Sequence, residues 1–133
     1  MMTIIICLSC IAFMPYLASG VGGYYRFSQT GTYDIVNPRV QAAKLEGVGA
    51  RSQYLQANCW EALTLFAVVV LAIYIANALS EMTVMLCVAF VLIRCVYFIA
   101  YLTNMAKLRF SAFGLGFACC ASLFYIAFTT AIA

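Results

Sequence analysis

Four long apolar stretches constrain the fold of this 133-residue chain more than any other feature. They cover about residues 2–23, 54–79, 82–103 and 110–132. A helix of about 20 apolar residues crosses the hydrocarbon core of a bilayer. Only 8% of the residues are charged, which is too few to cover a water-soluble core. The sequence therefore predicts a single all-α integral membrane domain over residues 1–133, an antiparallel bundle of four transmembrane helices.

The connections between these stretches predict how the helices are arranged. The short connections near residues 77–81 and 104–109 make consecutive helices antiparallel neighbours. The longer connection, residues 24–53, contains Asn37 and Pro38 at the start of a helical pattern and Gly47 after it. An N-cap residue, a proline at the first position and a terminal glycine predict a short interfacial helix there.

Basic residues are confined to one set of connections, which predicts the orientation in the membrane. The loops 24–53 and 104–109 hold six of the seven basic residues, namely Arg26, Arg39, Lys44, Arg51, Lys107 and Arg109. Under the positive-inside rule these loops are cytoplasmic and both termini are non-cytoplasmic. The first stretch lacks the basic n-region of a signal peptide, so we expect it to span the membrane. The net charge of +3 is too small and too scattered to indicate a nucleic-acid partner.

Cysteines and small residues inside the stretches are interpreted as packing residues. All seven cysteines fall in the apolar stretches, where no polar, electropositive setting favours a thiolate. Histidine is absent and carboxylates are not clustered, so no metal site is predicted. Gly114, Ala118 and Ser122 form a strip of small side chains on which another helix, from this chain or a second copy, could pack closely.

Two charged residues, Glu61 and Arg94, lie inside predicted spans. Glu61 follows Arg51 by roughly 15 Å of helix and Arg94 precedes Lys107 by roughly 20 Å, so their depths are similar. Each needs a partner or a water-filled cavity.

Further polar side chains accompany this pair of charges. Asn58 lies one turn before Glu61, and Tyr97 and Tyr101 continue a polar stripe from Arg94. Two interpretations remain open. The polar groups pair with one another and the tyrosines form an interfacial belt, or they form a cleft for a small anionic ligand beside an apolar co-substrate.

These residues resemble the motifs of the MAPEG superfamily, the membrane-associated proteins in eicosanoid and glutathione metabolism. The segment from Arg51 through Asn58 to Glu61, RSQYLQANCWE, is similar to the family's second-span signature. The segment from Arg94 through Tyr97 and Tyr101 to Arg109 is similar to its third span and the start of its fourth. Residues 33–47 resemble the prokaryotic branch in particular.

The resemblance implies a fold, an assembly and a site. It implies a four-helix subunit in a homotrimer surrounded by membrane lipids, with glutathione held as co-substrate between adjacent subunits. It implies that Asn58 and Glu61 hydrogen-bond glutathione and that Arg109, the expected catalytic residue, stabilises the thiolate. The expected glutathione-binding residues are Arg51, Asn58, Glu61, Arg94, Tyr97 and Tyr101.

The chain departs from the pattern of related synthases at two positions. Tyr54 stands four residues before Asn58, where those synthases carry an arginine, and the offset from Tyr101 to Arg109 differs by about one residue.

The sequence therefore leaves two functions open. The first is a glutathione transferase or peroxidase that acts on a lipophilic small molecule, in a bacterial inner membrane. The alternative is a non-catalytic scaffold, lipid-binding protein or accessory subunit of the same fold.

Overall fold

The computed structural model describes residues 1–132, which contain five helices and no strand. The helices are α1 (Met2–Thr30), α2 (Pro38–Ala42), α3 (Gly47–Ile75), α4 (Glu81–Leu102) and α5 (Ala106–Ala131). All but α2 are long and apolar enough to cross a membrane. The prediction of a membrane bundle of four helices is therefore confirmed.

Two of the long helices extend further into the first connection than the sequence predicts. Helix α1 continues to Thr30 instead of ending near residue 23, and α3 begins at Gly47 instead of near residue 54. Hydropathy detects only the part of a helix that lies in hydrocarbon, whereas backbone hydrogen bonding continues wherever no residue ends it. The connection is thus residues 31–46, and Arg51 lies inside α3 rather than in a loop.

The interfacial helix is shorter than predicted and ends differently. Helix α2 begins at Pro38 but stops at Ala42, and the Asn37 side chain makes no capping hydrogen bond. Gly47 does not end this helix. Its φ of +55° lies in the left-handed region that glycine adopts most easily, and it serves the turn that leads into α3.

Two tight turns reverse the chain between the later spans. Asn77 and Asn104 adopt positive φ values of 51° and 61°, just beyond the ends of α3 and α4. Beyond each asparagine a backbone N–H returns to the last turn, from Ala78 to Ile73 at 2.9 Å and from Met105 to Ala100 at 2.9 Å. This is the Schellman arrangement, which satisfies carbonyl groups at a helix end.

A capping box then begins the next helix. Thr83 donates its backbone N–H to the Ser80 hydroxyl, and the Ser80 backbone N–H donates to the Thr83 hydroxyl. Residues of the turn itself therefore specify the reversal of the chain between α3 and α4.

Helices α3 and α4 lie at the centre of the bundle. Helix α1 packs on α3 and α4, while α5 packs on α4 and α3. Within residues 1–132, α1 and α5 make no contact with each other. The core between the central helices includes the rings of Phe66 and Phe90, stacked with centroids 4.6 Å apart. Of the polar side chains that α3 and α4 direct toward each other, Arg94 is buried and Asn58 is half-buried.

Candidate functional site

Asn58 connects the two charged side chains inside the bundle. The Arg94 guanidinium donates a 2.7 Å hydrogen bond to the Asn58 side-chain oxygen, and the Asn58 amide nitrogen donates to Glu61 at 3.3 Å. Among residues 1–132 there is no direct ion pair between Glu61 and Arg94. The two charges, whose similar depth made them plausible partners, are therefore joined through the amide of Asn58.

The chemistry of the three side chains fixes the direction of this bridge. A guanidinium can only donate hydrogen bonds and an ionised carboxylate can only accept them. The oxygen of Asn58 must therefore face Arg94, and its amide nitrogen must face Glu61. Arg94 is only 4% exposed, whereas Glu61 is exposed on the outside of the helix bundle. Arg94 is thus a buried anchor that orients Asn58.

Cationic and aromatic side chains alternate from Arg94 toward the end of the bundle. The Arg94 guanidinium carbon lies 4.2 Å from the ring centroid of the buried Tyr97. The rings of Tyr97 and Tyr101 are 5.6 Å apart, and the Arg109 guanidinium carbon lies 4.6 Å from the Tyr101 ring. Contacts of this kind between cations and aromatic rings are favourable, most of all where water is excluded. This row of four side chains links the Asn58 bridge to Arg109.

Arg51 lies at the same end of the bundle and holds two helices together. Its Nε donates a 3.1 Å hydrogen bond to the carbonyl of Leu102, the last residue of α4. A carbonyl in that position has no partner within its own helix, and a cation at a helix C-terminus interacts favourably with the helix dipole. Arg51 therefore contacts the residue that follows Tyr101 in sequence, and it lies beside the row described above.

A cavity of about 230 Å³ adjoins the Asn58 bridge. We call it the membrane cavity, because it lies between the spanning parts of α3, α4 and α5. Its polar rim is formed by Asn58, Glu61 and Arg94. Its apolar walls come from Ala62, Leu65, Phe90, Phe113, Gly116 and Phe117. Three of the predicted polar residues thus border an apolar space, whereas Arg51, Tyr97, Tyr101 and Arg109 do not line it.

A second cavity, of about 300 Å³, was not predicted from the sequence. We call it the basic-end cavity, because it lies where α1, α2 and α3 meet the basic connection. The polar residues that line it are Ser19, Arg26, Arg39, Gln53 and Gln56. In the sequence, Arg26 and Arg39 indicated only orientation. Their convergence depends on how residues 31–46 fold back, and no local spacing reveals it.

Buried Gln41 organises that connection. Its side-chain nitrogen donates to the Thr30 hydroxyl and to the Thr32 carbonyl, both at 2.7 Å, and its oxygen accepts the Asp34 backbone N–H at 3.1 Å. Both the nitrogen and the oxygen of the Gln41 amide thus stabilise the turn between α1 and α2.

The small-residue strip on α5 faces away from the other helices. Gly114, Ala118 and Ser122 are exposed, while the face that packs within the bundle carries Ala112, Gly116, Cys120, Leu123 and Ala127. The strip is therefore available to a second molecule rather than to this chain. Four of the cysteines are buried as packing residues, whereas Cys10 and Cys95 are exposed and Cys119 is half-buried.

Comparison with known proteins identifies the group to which this architecture belongs. A family model described as "MAPEG family" matches residues 3–129, nearly the whole chain. No curated protein and no solved structure gives a match.

Proposed function

Since the chain belongs to the MAPEG family, a family of integral membrane proteins with glutathione-related functions, we propose that it uses glutathione to conjugate or reduce lipophilic molecules. The observation that carries this proposal is the continuous line of contacts from Glu61 through Asn58, Arg94, Tyr97 and Tyr101 to Arg109. It combines donors, an acceptor and a cation, as recognition of a small zwitterionic peptide requires.

The residues of this line, and Arg51 beside it, have distinct roles in the proposal. Glu61 accepts from the amino group of glutathione, while Asn58, Tyr97 and Tyr101 contact the peptide. Arg94 holds Asn58 in place, and Arg51 contributes positive charge near the carboxylates. The side chains of this line already contact one another, so the binding of glutathione requires little rearrangement.

Arg109 is the proposed catalytic residue. It is half-buried, and its guanidinium is held over the Tyr101 ring, which leaves its N–H groups free to face a thiolate. Lowering the pKa of the glutathione thiol from about 9 to about 7 requires about 3 kcal/mol of preferential stabilisation of the thiolate. A guanidinium in a partly dry site supplies an interaction of that size. The thiolate then attacks an electrophile that enters from the bilayer.

We further propose that the working unit is a homotrimer in a bacterial inner membrane, with the basic loops in the cytoplasm. Glu61 is exposed on the surface of the isolated subunit, and a carboxylate facing hydrocarbon is costly. A neighbouring subunit would cover it, and the outward strip of Gly114, Ala118 and Ser122 offers a surface for close helix contact. The proposed site is then completed between subunits.

A direct test measures thiolate formation in the purified protein. Adding glutathione to the wild-type protein should raise the ultraviolet absorbance of the thiolate, and Arg109→Ala should abolish both this increase and conjugation. Lys107→Ala is the matched control, because Lys107 is an exposed cation two residues away on the same helix. An unchanged thiolate signal in Arg109→Ala, or no signal in the wild type, would contradict the proposal.

A non-catalytic scaffold is the second candidate, favoured by Tyr54. This residue is 67% exposed and stands where related synthases carry an arginine, so one positive charge is missing from the surface of α3. Millimolar glutathione should raise the unfolding temperature if the native state binds it, as linkage requires. Absence of any shift, together with co-purifying lipid or protein, would favour the scaffold.

A further inference from the structure

The basic-end cavity carries positive charge that its own walls do not balance. Arg26 and Arg39 both line it, and none of its lining residues is acidic. A positive cavity of about 300 Å³ attracts an anion that offers several acceptor atoms. None of its lining residues belongs to the line of contacts from Glu61 to Arg109 on which the proposed function rests.

Arg26 has hydrogen-bond donors that the protein itself does not use. Its Nε is buried and has no hydrogen-bond partner within residues 1–132. One terminal nitrogen donates to the Pro38 carbonyl at the long distance of 3.5 Å, and the guanidinium carbon lies 5.5 Å from the centre of the Tyr33 ring. A buried N–H group without an acceptor is unfavourable, and a bound oxyanion would supply that acceptor.

Neutral donors complete the polar lining of the cavity. They are the hydroxyl group of Ser19 on α1 and the amide groups of Gln53 and Gln56 on α3, whereas Arg39 belongs to α2. Donors therefore come from three helices, and they surround the space instead of lying in one plane. This arrangement suits a tetrahedral phosphate better than a planar carboxylate, and guanidinium groups bind phosphate oxygens in pairs.

An aromatic pair lies one helical turn deeper in the same groove between α1 and α3. Tyr16 precedes Ser19 by three residues, and both are on α1. Trp60 follows Gln56 by four residues on α3. The two rings meet edge to face with centroids 5.5 Å apart, and they are 61% and 41% exposed. Exposed rings next to a positive cavity are typical of the region where a lipid headgroup meets its acyl chains.

Glycine at position 23 keeps the cavity open. A Cβ atom at Gly23 would have no heavy atom within 4 Å, although this residue lines the cavity. A Cβ atom at Gly22 would instead overlap the side chains of Ser52 and Gln53. Helix α1 thus lies close to α3 at Gly22 and leaves space at Gly23, so a larger side chain at position 23 would occupy the cavity without displacing its walls.

We propose that the basic-end cavity binds the phosphate group of an anionic membrane phospholipid, held by Arg26 and Arg39. The glycerol and acyl chains of this lipid continue along the exposed rings of Tyr16 and Trp60. The lipid site is separate from the proposed glutathione reaction, which uses none of these residues.

The single tryptophan of the chain provides the measurement, because Trp60 lies in the groove below the cavity. The full chain is reconstituted in bilayers of phosphatidylcholine and phosphatidylglycerol, with quenching bromine atoms on the acyl chains of one lipid or of the other. The quenching of Trp60 fluorescence then gives the relative affinity of the groove for the two lipids. The choline ammonium group opposes binding beside two arginines, so the wild type should prefer phosphatidylglycerol at least about tenfold.

Charge variants test the two arginines. Arg26→Gln and Arg39→Gln should each reduce the preference for phosphatidylglycerol about fivefold. Lys44→Gln is the matched control, because it removes an exposed cation from the same connection without touching the cavity. It should change the preference less than about twofold.

A steric variant tests the cavity itself. Gly23→Leu fills the space and should reduce the preference at least about fivefold. Gly20→Leu is its control on the same helix, since nothing lies within 4 Å of that position and it does not line the cavity, and the preference should not change. The charge variants keep the test decisive if Gly23→Leu does not fold, because they leave the helix packing unchanged.

Soluble competitors distinguish a lipid phosphate from other anions. Millimolar inorganic phosphate and millimolar glutathione should leave the quenching unchanged, because neither has an acyl chain to lie along Trp60. Displacement of the lipid by phosphate would show a site for soluble phosphates, and displacement by glutathione would make this cavity part of the glutathione site. Either result would overturn the lipid assignment, as would equal preferences in the wild type, Arg26→Gln and Arg39→Gln. Loss of conjugation with an intact lipid preference would overturn only the glutathione function.

Discussion

The two cavities of this protein are built in opposite ways. The membrane cavity lies between α3, α4 and α5, and its rim is formed by side chains that recur at helical spacing. The basic-end cavity lies between α1, α2 and α3, and its arginines converge only because residues 31–46 fold back. One cavity follows from helix periodicity, and the other depends on loop contacts.

The two cavities also differ in the contacts that hold their polar residues in place. The membrane cavity depends on the buried guanidinium of Arg94, for which the bilayer provides no alternative hydrogen-bond partner. The basic-end cavity depends on Gln41 and on the close approach of α1 to α3, at an interface where water is available. Substitutions should therefore have larger and more global effects in the first region than in the second.

The largest expected effect is that of Arg94→Leu. The substitution removes the buried guanidinium that donates to Asn58 and leaves the half-buried Asn58 side chain without this partner, so we expect a loss of about 3 kcal/mol in the free energy of unfolding. Unfolding by SDS in mixed micelles measures it. Arg109→Leu is the control, because Arg109 is half-buried and lies at the end of the bundle, and it should lose well under half as much. Equal losses would show that Arg94 is not the anchor of the membrane cavity.

An intermediate effect is expected from Gly49→Val, which tests the packing that supports the basic-end cavity. A Cβ at Gly49 would lie 3.0 Å from the Tyr25 Cβ and 3.2 Å from the Leu45 Cβ, too close for the backbones to keep their separation. Overpacking of this kind costs about 2 kcal/mol. Gly20→Val, where nothing lies within 4 Å, should be nearly neutral in the same SDS titration. A neutral Gly49→Val would mean that α1 and α3 separate easily.

The smallest effect is expected from Gln41→Leu, which should act locally. Loss of the amide frees the Asp34 N–H and the Thr32 carbonyl to bind water, so the free energy of unfolding should fall by about 1 kcal/mol. Hydrogen exchange should accelerate at residues 31–37 and stay unchanged in α4. Faster exchange near Arg94 as well would show that the two regions are coupled rather than independent.

Much of the fold could be predicted because membrane insertion leaves few alternatives. Spans of about 20 apolar residues and short connections predict the four-helix bundle, and the turns after α3 and α4 carry asparagine, which tolerates positive φ. Helix ends in the first connection could not be predicted, because polar residues such as Ser28 and Gln29 continue a helix without any hydropathy signal.

The candidate site was predicted in its members but not in its contacts. Spacing placed Arg94, Tyr97 and Tyr101 on one face of α4, and Asn58 beside Glu61 on α3. It could not show that Asn58 would stand between the charges, because that depends on the rotation of α3 against α4. The sequence also could not show that Gly114 faces outward and Gly116 inward, since both are small residues on one apolar helix.

The sequence by itself determined that this chain is a four-helix membrane protein of the MAPEG family, with its rare polar residues gathered on α3, α4 and the start of α5. The small number of polar residues makes this prediction possible, because a charged side chain inside a bilayer is costly unless it has a partner or a function. Only the tertiary structure decided that Arg94 reaches Glu61 through Asn58 and that Arg26 and Arg39 share a cavity. These features depend on helix rotation and on contacts distant in sequence, which local periodicity does not encode.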